Sequence, residues 1–326
     1  MKLFKSRSAK LKADPKIRWF GKLPTYQDYY RSRGDEAWAV EFNEWIIKGF
    51  EYYQARHESS DGFVANDSPR VPRIAPGAVI VRLPKSSMTV LSYVMDFGGD
   101  MRGRPFPICL YVGLPTSCWP GPTSAHVMPA ARAIGQLMRL GRDIPRFIKT
   151  PSRFETMVGE RKVELGGMEV NEKDESWIDE AKALPMEEWF AAAAQGLLVK
   201  DLATWQRLAH RWGDDIARHD GRHFRPTLRF PLARSITHEV QVAGWIRWLE
   251  QRMSMKQRTL SLLLAGENER RPGRLAIIAR DLVAEDFLLL TERWSALAYV
   301  DNLTEVDVED HERPPSGREE EEIRDD

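Results

Sequence analysis

The stretch Trp19–Phe50, WFGKLPTYQDYYRSRGDEAWAVEFNEWIIKGF, reads as a Gly-Lys-Leu-Pro turn, a polar aromatic loop and then a long helix. Trp38, Phe42, Trp45 or Ile46, Gly49 and Tyr53 recur at spacings of three and four, which predicts one apolar face over residues 35–56. Gly34 precedes Asp35 and Glu36, acids that suit the positive end of a helix dipole. A second stretch, Gly98–Pro115, GGDMRGRPFPICLYVGLP, reads as an arginine-rich turn leading into a buried strand. Its segment Phe106–Val112 is apolar nearly throughout, as a strand covered on both faces must be. Together the two stretches predict an α/β core with a surface at its edge and no evident catalytic centre.

Further strands are expected at Ala78–Leu83, Thr89–Asp96, Thr259–Ala265 and Arg274–Ala279. Phe287–Leu290 reads as a strand or the middle of a helix, and Trp294–Tyr299 as a terminal helical turn. Gly113–Thr123 reads as a turn region, Ala125–Leu140 as a helix, and residues 159–180 as a polar insertion. Three more helices are expected at Glu187–Val199, Asp201–His219 and Glu239–Met253. Helices alternating with apolar strands point to a layered α/β fold with a mixed sheet between helix layers. Proline-bearing Arg142–Arg153 is the best boundary between two halves, taken as residues 17–145 and 146–303, which either share a sheet or form separate domains.

The 326 residues are 42% hydrophobic and 29% charged, with zero net charge. That composition is expected of a soluble, cytoplasmic protein, with no secretory leader and no apolar run of about 18 residues to enter a membrane. Residues 1–16 form a basic arm and 304–326 an acidic tail closing in EEEEIRDD, both expected to be disordered because like charges repel. The near-neutral remainder argues against a nucleic-acid partner. Cys109 and Cys118 are too few for a disulfide framework, and Cys109 is expected to be a small core residue.

Little in the sequence points to chemistry. His219 and His223 have the separation of two ligands on a helix face, but Gly221 lies between them and no HExxH pattern occurs. Zinc-type cysteine pairs, a GxSxG elbow and a phosphate loop are missing from the sequence, so no metal, cofactor or catalytic residue is expected. Tyr26, Tyr29 and Tyr30 beside Gln27, Asp28, Arg31 and Arg33 make an interface-like composition, or else a loop packed on its own domain. Arg102 and Arg104 serve either backbone carbonyls and buried acids or a partner's carboxylates or phosphates.

Phe20-Gly21-Lys22-Leu23-Pro24, then Asp28-Tyr29, then a helix with Trp45, resembles the start of the TagF (ImpM) family of type VI secretion accessory proteins. Gln27 and Tyr29 stand where the family usually has glycine and phenylalanine. Asp100, Gly103, Arg104, Phe106 and Pro107 resemble the second family signature, with Gly98-Gly99 in place of the usual serine before the aspartate. The resemblance spans about residues 17–140. It implies a three-layer α/β/α sandwich and a cytosolic, non-enzymatic regulator that restrains type VI secretion by engaging a forkhead-associated scaffold. Tyr26, Asp28, Tyr29, Asp100, Arg102 and Arg104 are then expected near the partner surface, over a structural motif of Gly21, Lys22, Leu23, Pro24, Gly103, Phe106 and Pro107. On this reading, reversing Arg104 to Glu weakens partner binding and leaves the fold intact.

Overall fold

A computed structural model describes residues 15–34, 36–60, 74, 76–83, 85–116, 127–147, 149–163, 227–231, 242–246, 261–265, 274–278, 282–290 and 300–302. The strands are β1 (Arg18–Gly21), β2 (Tyr30–Arg31), β3 (Gly77–Leu83), β4 (Met88–Met95), β5 (Ile108–Pro115), β6 (Thr227–Pro231), β7 (Ser261–Ala265), β8 (Arg274–Ile278) and β9 (Val300–Asn302). The helices are α1 (Ala37–Ser60), α2 (Val127–Phe147) and α3 (Pro151–Gly159), with a short helical segment at 242–246 and a 3-10 helix at Ala284–Leu290. Among the described residues the strands form one nine-stranded sheet in the order β2-β1-β5-β4-β3-β7-β8-β6-β9. All neighbours are antiparallel except β6 and β9, which run parallel, so the sheet is mixed.

Period-two alternation assigns the residues of β1, β3, β4, β5, β7 and β8 to two apolar cores. Trp19, Ile80, Leu91, Ile108, Leu110, Val112, Leu262, Leu275 and Ile277 face one core with α2, α3 and segment 242–246. Phe20, Val79, Val81, Val90, Val94, Cys109, Tyr111, Leu263 and Ala276 face the other, with α1 and the 3-10 helix. The expected α/β/α layering is therefore present. Burial on both faces explains why Phe106–Val112 shows no polar alternation.

Several boundaries move. Strand β5 begins at Ile108 and continues through Gly113 to Pro115, residues expected in a turn. Gly113 belongs in the strand because Trp38 lies against it: a Cβ there would sit 2.8 Å from the indole. Helix α2 runs past Leu140 to Phe147 and so crosses the expected boundary at Arg142. Pro145 loses the bond to the Gly141 carbonyl and crowds that oxygen, but it falls in the last turn, where Leu140 and Ile144 stay buried. Strand β1 carries no expectation from the sequence except at Gly21, read as the first residue of the Gly-Lys-Leu-Pro turn; it forms because it pairs with β5 from Arg18↔Tyr111 to Gly21↔Ile108. Phe287–Leu290 belongs to the 3-10 helix, and β6 and β9 carry no expectation from the sequence. The pairing of β3 with β7 joins the two halves of the chain in one sheet. Lys16, assigned to the basic arm, forms an antiparallel bridge with Lys162, and the Val163 N–H donates to the Pro15 carbonyl at 3.3 Å. The expected helices at 187–199 and 201–219, the pair His219 and His223, Cys118, the turn at 294–299, the rest of the basic arm and the acidic tail all lie outside the described residues.

Helix α1 is held by specific bonds as well as by its apolar face. The Trp45 indole N–H donates to the Val283 carbonyl at 2.9 Å, and the Tyr111 hydroxyl donates to Asn43 Oδ1 at 2.9 Å. Glu41 accepts the backbone N–H groups of Lys85 and Ser86 at 3.2 and 3.1 Å, which pins the β3–β4 turn. The Arg18 guanidinium bonds the Arg33 carbonyl and the Glu36 carboxylate beside the start of α1.

Gly49 is where α1 meets the 3-10 helix: a Cβ there would lie 2.4 Å from Phe287 Cβ and 3.1 Å from the Ala284 carbonyl oxygen. Alanine normally gains about 1 kcal/mol over glycine inside a helix, while overpacking a core costs about 1–3 kcal/mol. The neighbours here are a Cβ and a backbone oxygen, which cannot swing away, so the clash wins. Gly49→Ala is expected to lower unfolding free energy by about 1–2 kcal/mol, read by chemical denaturation.

Candidate functional site

The two motif segments meet at one end of the sheet. Strand β1 hands the chain to Lys22, Leu23 and Pro24, and the loop 96–107 between β4 and β5 packs against it. Two backbone bonds organise the contact: Tyr26 N–H to the Leu23 carbonyl at 2.9 Å and Met101 N–H to the Tyr26 carbonyl at 2.8 Å. The glycines follow from the turns. Gly99 has φ +105°, and a Cβ there would sit 2.3 Å from the Arg104 carbonyl oxygen. Gly103 has φ +74° and closes the tight turn in which its N–H reaches the Asp100 carbonyl at 2.9 Å.

Asp100 is the centre of this unit. Its carboxylate has no exposed surface. Oδ1 accepts the backbone N–H groups of Arg102 at 2.9 Å and Arg104 at 3.0 Å. Oδ2 meets Arg104 Nε at 2.7 Å and Lys22 Nζ at 3.3 Å. The Arg104 guanidinium also donates to the Gln27 carbonyl, which ties the second motif back to the first. Burial alone raises the Asp100 pKa, but the Arg104 and Arg102 backbone N–H groups, the Arg104 guanidinium and Lys22 outweigh it and hold the carboxyl at about 2.

Lys22 is 7% exposed, so its ammonium is a buried cation and needs every partner it has. Besides Asp100 it lies 5.2 Å from the Tyr29 ring centre and 6.0 Å from that of Phe106. Tyr29 stacks on Phe20 at 5.2 Å and meets Phe106 edge-on at 4.9 Å. Burial, followed by the charges of Glu51 and Asp28, raises the Tyr29 phenol pKa, so it stays a neutral donor.

The structure therefore separates the residues that the sequence groups. Asp100, expected at the partner surface, is instead buried, because a carboxylate is the charge that can neutralise Lys22. Tyr26 is half-buried against Tyr30 at 4.6 Å. Arg104 is half spent on Asp100, with its side chain 48% exposed. Asp28, Tyr29, Met101 and Arg102 are exposed, and among the described residues the Asp28 side chain accepts the adjacent Tyr29 N–H at 2.8 Å. Gly21, Lys22, Leu23, Phe106 and Pro107 are buried, whereas Pro24 and Gly103 are exposed. Against this geometry Arg104→Glu is expected to cost stability, since it would place two carboxylates against each other. The Gln27 carbonyl was missed, since a backbone acceptor leaves no trace in side-chain chemistry. Met101, 57% exposed, was missed as well.

Among the described residues, no group of three or more His, Cys, Asp or Glu side chains is placed to hold a metal ion, and no helix is long and apolar enough to cross a membrane. Cys109 is a free, buried thiol whose pKa is raised by burial.

No protein-family model and no curated protein matches the chain. Among solved structures, it is similar to PA0076 from Pseudomonas aeruginosa PAO1, with 12% identity and a TM-score of 0.41 over 86% of this chain and 97% of that one. A likeness at that identity and TM-score says nothing about activity or partners.

An ordinary aspartate titrates near 3.8 and Asp100 near 2. The folded state thus binds this proton less tightly than the unfolded state. Its stabilising contribution is full above the ordinary value and is lost as pH falls through about 2. Asp100→Asn is expected to melt several degrees below the parent at neutral pH, with the gap closing as pH falls from 4 towards 2, as thermal melts across that range would show. Arg104→Glu should lower the melting temperature at neutral pH, whereas Arg102→Glu, whose backbone alone engages Asp100, should leave it unchanged.

Proposed function

We propose that this protein is a non-enzymatic cytosolic regulator of type VI secretion, which acts after translation by sequestering a protein component such as a forkhead-associated scaffold. One observation carries the reading. The two segments that resemble TagF, about 75 residues apart in sequence, are joined by Lys22, Asp100 and Arg104 into one unit. That unit leaves Tyr29, Met101, Arg102 and half of Arg104 exposed over a braced base. Aromatic, methionine and arginine side chains held on rigid support are the composition of binding hot spots. The buried members fix the shape of the loop pair, and the exposed members meet the partner.

The test is affinity purification of the tagged protein from its native cell, with mass spectrometry of what is retained. A forkhead-associated scaffold is expected to co-purify, and Arg102→Glu is expected to reduce its recovery about tenfold or more without moving the melting temperature. Recovery of the chain alone would sink the reading. Stoichiometric retention in the assembled, active machine would favour an assembly component instead.

A further inference from the structure

A second feature lies on the other side of the sheet from α1. Between α2, segment 242–246 and strands β3, β4, β7 and β8 lies a cavity of about 380 Å³. Its walls are almost wholly apolar, with Ile80, Ile134, Met138, Val242, Leu262 and Leu275 among them. Ala131, Ile134 and Met138 are only half-buried and Pro76 is exposed, so the cavity reaches solvent along α2. Apolar walls left open to solvent in a recess of this size are the kind of surface that folding otherwise buries. A mainly apolar cavity with few polar groups is the form of a small-ligand site.

The polar groups are at one end. Tyr93 lines the cavity, and its hydroxyl has no hydrogen-bond partner among the described residues. A Cβ on Gly141 would lie 3.2 Å from Tyr93 Cε1, which places this ring beneath the last turns of α2. The next residue, Arg142, is exposed and sets a guanidinium nitrogen 3.9 Å from Sδ of the lining residue Met138. No carboxylate pairs with Arg142 among the described residues. Helix α2 carries Arg132, Arg139, Arg142 and Arg146 against a single acid, Asp143, which pairs with Arg146 at 3.3 Å. Arg142, beside the lining residue Met138, therefore sets at this end of the cavity a cation that no carboxylate of the described residues neutralises.

We propose that this cavity binds a single-chain carboxylate amphiphile, with the alkyl tail between α2 and the sheet and the carboxylate at Arg142 and the Tyr93 hydroxyl. The apolar walls supply affinity in proportion to chain length buried. The arginine supplies the preference for an anionic head. Burial, partly offset by Arg142, raises the Tyr93 pKa, so its hydroxyl remains a donor. This site does not rest on the regulator reading, and the two can fail separately.

The test is calorimetric titration of the delipidated full chain with dodecanoate and with dodecanol, each below its aggregation limit. Saturable one-to-one binding of dodecanoate is expected, with a raised melting temperature. Gly135 lines the cavity, and a Cβ there meets nothing within 4 Å. Gly135→Leu is therefore expected to fill the space and weaken dodecanoate about tenfold or more without unfolding the protein. Met138→Trp fills the same space and decides the matter if the first variant misfolds. Arg142→Gln is expected to weaken dodecanoate about tenfold and leave dodecanol unchanged. Absence of saturable binding, or binding indifferent to both filling variants, overturns the proposal. Equal affinity for acid and alcohol in the parent overturns the carboxylate site.

Discussion

The sheet has to be buried on both faces, and the rest of the molecule follows from that requirement. Strand β5 shows the constraint most plainly. Ile108, Leu110, Val112 and Leu114 go to one core while Cys109 and Tyr111 go to the other. Neither side can carry an unpaired polar group cheaply, so the Tyr111 hydroxyl is matched by Asn43 of α1. The same pressure acts where helices approach the sheet. Gly49 and Gly113 leave room for Phe287 and Trp38, so α1 can sit close to both the 3-10 helix and β5.

At the β1 end the two-sided core stops, and a charge has to be managed there. Lys22 enters an almost closed space between the aromatic rings of Tyr29 and Phe106. A lone ammonium in such a place would be costly, and Asp100 answers it. The carboxylate then recruits two backbone N–H groups and Arg104, and Arg104 reaches the Gln27 carbonyl. One buried ion pair thus orders two loops and determines which side chains remain outside. The exposed residues owe their rigidity to the buried ones, so substitutions in this region have to be divided by burial before binding data are interpreted.

Much of the architecture was legible in residue order. Strands β3, β4, β7 and β8 and helix α1 lie within a few residues of where apolar periodicity places them, because their burial is continuous and periodic. The ribbon of β1 and β2 was not legible. Four residues that run into a Gly-Lys-Leu-Pro turn are too short to show a strand pattern, and only β5, almost ninety residues later, makes them a strand. The length of α2 was hidden by Pro145, which local rules treat as a stop but which lies in the last turn, where the burial of Leu140 and Ile144 offsets its cost. The apolar cavity was invisible for a related reason. Each of its walls reads as an ordinary apolar face, and an unfilled gap between faces has no signature in any of them.

The sequence by itself determined the layered α/β class and the positions of the main apolar strands. It also singled out the two motif segments, since periodicity and turn chemistry are local properties. Tertiary structure alone decided that both halves of the chain enter one sheet, through the pairing of β3 with β7. It also decided that Asp100 is a buried anchor while Arg102 stays outside. Sheet order and the burial of a charge depend on partners distant in the chain, and their free energy exists only once those partners are brought together.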